Sequence, residues 1–84
     1  MAHVASDAKS IQNQVVKIIT SVTRVKRSIL LEVRDLTKLG LDIVDVVDII
    51  LKVEKAYHLT IPDEVPVYTV DDFVYYVYTH KQAN

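Results

Sequence analysis

Apolar residues recur along the first part of the chain at helical spacing. Ile11, Val15, Ile18, Val22 and Val25 lie four and three residues apart, while Gln12, Gln14, Lys17 and Thr20 fall largely off that stripe. The pattern predicts a first helix over roughly residues 7–23, with Ser6 or Asp7 as its cap. Between Arg24 and Gly40 the periodicity loosens, which predicts a long connecting loop. Ile29, Leu30, Leu31, Val33, Leu36 and Leu39 make that loop too apolar for a solvated linker, so part of it is expected to pack on the helices. Gly40, the only glycine, supplies a turn before a new element.

A second helix is expected over residues 43–57, capped by Asp42 with Asp45 in a capping-box position. Val46, Ile49, Ile50, Val53 and Tyr57 form its inward stripe, and Asp45, Asp48, Lys52 and Lys55 its wet one. Ile43, Val44, Val47 and Leu51 are left over, flanking the polar stripe as surplus apolar surface. Ile61-Pro62-Asp63-Glu64 suits a short third helix that Pro66 stops. Thr69 and Asp72 then cap a last helix with Val70, Phe73, Val74 and Val77 facing inward. Val67-Tyr68 and Val74 to Tyr78 are also rich in strand formers, so periodicity alone leaves a β-hairpin open there.

Composition narrows the class. At 84 residues the chain suffices for one small domain, with an ordered core expected over about residues 8–80. Half the residues are hydrophobic, which argues against disorder. The absence of cysteine excludes disulfides and thiolate zinc sites and fits a reducing compartment; a cytoplasmic location is expected. No apolar run approaches a membrane span, and the first twenty residues show no export signal. The net charge of −1 hides an asymmetry. Residues 1–38 carry seven bases against three acids, and residues 39–84 three bases against eight acids. Such a separation orients partners through the summed field.

Candidate chemistry is sparse. No serine–histidine–acid set, phosphate loop or general-base pair is expected to converge, so enzymatic activity is not expected. His3, His58 and His80 lack metal-ligand spacing and are expected at the surface. Arg24-Val25-Lys26-Arg27 is short, lacks an interleaved aromatic and sits in a chain of pI about 6.2, which argues against nucleic acid. Tyr68, Tyr75, Tyr76 and Tyr78 are expected at the edge of the core.

Three segments together resemble the acyl carrier protein family. Leu39-Gly40-Leu41-Asp42-Ile43-Val44-Asp45 is similar to that family's Leu-Gly-x-Asp-Ser-Leu-Asp motif, and Val46 through Tyr57 to its second helix. Ile61-Pro62-Asp63-Glu64 looks like the lead into its third helix, and residues 69–83 like its closing helix. The resemblance spans residues 8–83 and implies an all-α four-helix bundle with a long loop between helices 1 and 2 and a short helix 3. It thereby favours a helix over the hairpin. It also implies docking on enzymes of fatty acid or polyketide synthesis through Asp42, Asp45 and Asp48.

One departure outweighs the matches. The residue after the motif's Asp is, in that family, the serine that receives phosphopantetheine; here it is Ile43. A phosphodiester needs an oxygen nucleophile, and a sec-butyl group has none. No phosphopantetheine is therefore attachable at position 43, and no cofactor is expected. Lys52 and Lys55 also interrupt the acidic helix. The leading expectation is a non-acylated, monomeric binding paralogue that contacts protein partners through Asp42, Ile43, Val44, Asp45, Val47, Asp48, Leu51 and Ile61. Two alternatives stand beside it: a working carrier whose natural form bears serine at 43, and a helical adaptor unrelated to lipid metabolism.

Overall fold

A computed structural model describes the backbone of residues 3–80 and the side chains of residues 8–80. The described residues form four α-helices: α1 (His3–Thr23), α2 (Arg27–Glu32), α3 (Ile43–Tyr57) and α4 (Val70–His80). A 3-10 turn, Leu36–Leu39, sits between α2 and α3. The hub is α1, against which each of the other three helices packs. Its stripe accordingly broadens from the predicted line: Ile11, Val15, Val16, Ile18 and Ile19 are all buried. Ile49 and Val53 of α3 and Val70, Phe73 and Val77 of α4 complete the core with Leu30, Leu36, Ile61 and Val67 from the connections.

The all-helical class agrees with the sequence pattern, and the arrangement of the short elements does not. The helix begins at His3, so Ser6 and Asp7 lie within α1 rather than capping it; their side chains and residues 81–83 lie outside the described residues. The long connector is not a loop without elements. Leu30 and Leu36 insert fully into the core, and a helical turn around each supplies backbone partners: Ile29 and Leu30 N–H groups donate to Lys26 O, and Lys38 N–H to Asp35 O. Burial of two leucines outweighs a weak local pattern. Ile29 and Leu31, about 100° to either side of Leu30 on α2, stay exposed.

The expected short helix after Ile61 is absent. Residues 62–65 make a single turn closed by Val65 N–H to Pro62 O at 3.0 Å. Pro66 disfavours helical backbone at Val65 and offers no N–H, so the turn never becomes a nucleus. The short helix of this bundle therefore precedes the long α3 instead of following it.

The predicted starts of α3 and α4 agree with the structure. Asp42 caps α3, with its N–H donating to Asp45 Oδ2 at 3.2 Å in a capping box. Thr69 Oγ1 accepts from Asp72 N–H at 2.9 Å, and Asp72 Oδ2 accepts from the N–H groups of Thr69 (3.1 Å) and Tyr68 (2.9 Å). These bonds satisfy donors that a helix start leaves free. The hairpin is excluded by α4. The extended backbone nearby is limited to an isolated antiparallel bridge between Asp35 and Thr69, with Leu36 N–H to Tyr68 O at 2.9 Å and Val70 N–H to Arg34 O at 2.8 Å. That bridge ties the connector to the start of α4.

Candidate functional site

The surface that differs most from a solvated one is on α3, and its aim is set upstream. Gly40 adopts φ 69°, ψ 26°, a left-handed conformation that an L side chain resists. Leu39 and Leu41 on either side of it pack partly against the core. The chain therefore turns between two anchors, and Asp42, at φ −77° and ψ 163°, starts the helix from extended backbone.

At about 100° per residue, α3 divides into three arcs. Ile49 and Val53 are buried, with Ile50 and Tyr57 packed partly against the core beside them. Burial also raises the pKa of the Tyr57 phenol. Asp48, Lys52 and Lys55 are exposed on the polar arc. The third arc holds Ile43, Val44, Val47 and Leu51, which are 78%, 64%, 45% and 55% exposed. Single exposed apolar residues are ordinary, but four on one 100° arc make a contiguous patch. Asp48 borders it. None of the four is among the side chains that form the core or pack partly buried against it.

Ile61 does not belong to the patch. It is only 5% exposed, with its N–H donating to Glu54 Oε2 at 2.7 Å. The segment between α3 and α4 has no helix of its own, so its apolar side chains serve as a lid on the core. Tyr76 Oη donates to Thr60 O at 2.8 Å and holds the same segment from α4. Asp45 is half-buried and occupied by the cap; Asp48 remains free on the surface. Of the eight expected contact residues, Ile43, Val44, Val47 and Leu51 share one exposed arc with Asp48 at its border, Asp42 is exposed at the cap, Asp45 is half-buried in the capping box and Ile61 is buried.

Tyrosines divide similarly. Tyr76 and Tyr78 pack partly against the core as expected, whereas Tyr68 and Tyr75 stand out in solvent at 60% and 71%. His58 and His80 are exposed; His58 ends α3 in the left-handed conformation, and His80 stacks on Tyr76 with ring centroids 3.9 Å apart. Among the described residues no cluster of three or more metal-binding side chains occurs, and no helix is long and apolar enough to cross a membrane.

One polar cluster escaped the sequence pattern. Arg34 donates to both carboxylate oxygens of Asp71, at 2.9 Å and 2.6 Å, and to Gln12 Oε1 at 2.6 Å. It joins the connector, α4 and α1. The Arg34 bonds hold the Asp71 carboxyl below its ordinary pKa against a partial opposing effect of burial. The three residues are far apart in sequence and carry no motif, so only the fold brings them together.

The fold and this surface define a small all-α domain that exposes an apolar helix face. Compared with protein-family models, with curated proteins and with solved structures, the chain matches none.

Proposed function

We propose that the protein is a non-acylated, carrier-like interaction domain that docks on enzymes of fatty acid or polyketide synthesis through α3. The reading rests on the resemblance of residues 39–57 and 61–64 to acyl carrier proteins and on one observation above all. Ile43, in the position of the attachment serine, is 78% exposed on the first turn of α3. A β-branched apolar residue there adds nothing to the core and has no special helix-forming advantage. Its carbon-only side chain cannot take phosphopantetheine, but it extends an apolar row with Val44, Val47 and Leu51. Burying such a row against a partner is favourable at about 25 cal/mol per Å² of apolar area removed from water. Asp48 at its border gives the contact electrostatic direction.

The first experiment is intact mass after incubation with coenzyme A and a broad phosphopantetheinyl transferase. No mass gain is expected for the protein as it stands; a gain would remove the proposal. The same measurement on Ile43→Ser separates the alternatives. Modification of that variant favours a carrier whose natural form has serine at 43. A folded variant that remains unmodified favours an adaptor outside lipid metabolism. Titration of the isotope-labelled domain with a β-ketoacyl synthase then locates the surface. Shifts are expected at Ile43, Val44, Val47 and Leu51, and Val44→Glu should abolish them.

A further inference from the structure

On a different side of the molecule, α1 and α2 border a broad open groove of about 1000 Å³, lined by Lys9, Asn13, Val16, Lys17, Thr20 and Arg27, with Ser10, Gln14 and Ser21 completing its wall. Three features set it apart from an ordinary polar helix face. First, its charge has one sign among the described lining residues, Lys9, Lys17 and Arg27, with no carboxylate. Asp71, which meets α1 through Gln12 and Arg34, is neutralised in the Arg34 clamp. Secondly, the guanidinium at the rim is held in place, with Arg27 Nη2 donating to Asn13 Oδ1 at 3.0 Å. Asn13 is neutral, so it orients the fork without neutralising it. Thirdly, Thr20 Oγ1, in the lining, is the one buried side-chain polar atom without a hydrogen-bond partner among the described residues. A buried hydroxyl left unpaired is unfavourable, and water or a ligand group satisfies it.

We infer that this groove is a binding site for a soluble ligand bearing a diphosphate group. Lys9 and Lys17 are two turns apart, about 12 Å along the helix axis. A single tetrahedral anion would draw both lysine stems in to one point about halfway along that span. A diphosphate, extended along α1, reaches both lysines through their flexible stems while the guanidinium takes one phosphoryl group in a two-point contact. Asn13, Gln14 and Ser10 then offer neutral donors to the bridging and terminal oxygens. Val16, buried in the floor, and the lysine stems give an apolar rest for an organic body attached to the diphosphate. The groove has the volume of a small-molecule site. The site lies apart from the α3 patch and does not depend on how that patch is used.

Inorganic pyrophosphate is the probe, read by amide shifts of the isotope-labelled full chain at low ionic strength. Saturable shifts are expected at Asn13, Lys17, Thr20 and Arg27, with Kd below about 1 mM and weakening as salt screens the contact. Lys17→Glu with Arg27→Glu should weaken binding at least about tenfold, the equivalent of losing one charge-assisted contact. Lys52→Glu on α3 should leave it unchanged. Thr20→Val separates a ligand role from a structural one: thermal stability is expected to hold or rise while pyrophosphate binds more weakly. Absence of saturation at about 10 mM, equal shifts at Lys52 and Lys55, or undiminished binding by the double variant would overturn the assignment. Saturation by vesicles of anionic phospholipid without any by pyrophosphate would overturn it as well.

Discussion

Helices α1 and α3 each carry more apolar residues than a single line along the helix and use them in opposite ways. The five apolar positions Ile11, Val15, Val16, Ile18 and Ile19 of α1 are all buried because three helices pack around it. Helix α3 buries only Ile49 and Val53 fully and leaves Ile43, Val44, Val47 and Leu51 in water. Position in the packing accounts for the difference. A central helix has neighbours on several sides, whereas a peripheral helix has neighbours on one. Apolar residues beyond that one side gain little from folding; under the proposed reading they serve contact with a partner. That contrast separates what stabilises the protein from what it offers to others.

The sharpest break of the comparison is in α1. Ile19→Ala removes a fully buried side chain at the hub and is expected to lower unfolding free energy by about 2–5 kcal/mol, measured by denaturant titration. In so small a domain that change leaves little residual stability. A loss below about 1 kcal/mol would mean that α1 is not the centre of the core.

A smaller effect tests the polar clamp that closes α1 against α4. The folded pKa of Asp71 lies below its ordinary 3.8, chiefly through the Arg34 hydrogen bonds. The pair therefore contributes stability above pH 3.8, and the contribution is lost as pH falls through the lower, folded value. Asp71 is well exposed, so solvent screening limits the contribution to about 0.2–1 kcal/mol. Asp71→Asn should lower stability at neutral pH by that amount and flatten the acid limb of the stability–pH profile. An unchanged acid limb would show that the clamp is not formed in solution.

The smallest expected change on stability is on α3. Val47→Ala and Ile43→Ala should shift unfolding by no more than about 0.5 kcal/mol, since neither side chain reaches the core. Their effect is expected in partner binding instead. Substantial destabilisation by either would place the α3 row inside the fold and remove the docking surface.

Much of this was legible along the chain because it is local. The bounds of α3, its Asp42–Asp45 cap and the Thr69–Asp72 cap of α4 each depend on residues within four positions of one another. The surplus apolar row on α3 was visible for the same reason: a 3.6-residue period with more apolar positions than one face can hold. Ile61 was misplaced because its surroundings are not local. An isoleucine after a loop reads as surface until Glu54 is seen to take its N–H and the core to take its side chain. The connector misled likewise, since α2 and the turn at Leu36 form around leucines whose burial depends on distant helices.

Sequence alone determined the helical character of α1 and α3, the extent of α3, and the chemistry excluded at Ile43. Those follow from periodicity, caps and the atoms of a single side chain. Tertiary structure decided which apolar side chains were spent on the core, placed the short helix before α3, drew Arg34, Gln12 and Asp71 together and opened the cationic groove beside α1. Each of these is set by residues distant in the chain, whose contact depends on the packing of whole helices and leaves no periodic trace in their order.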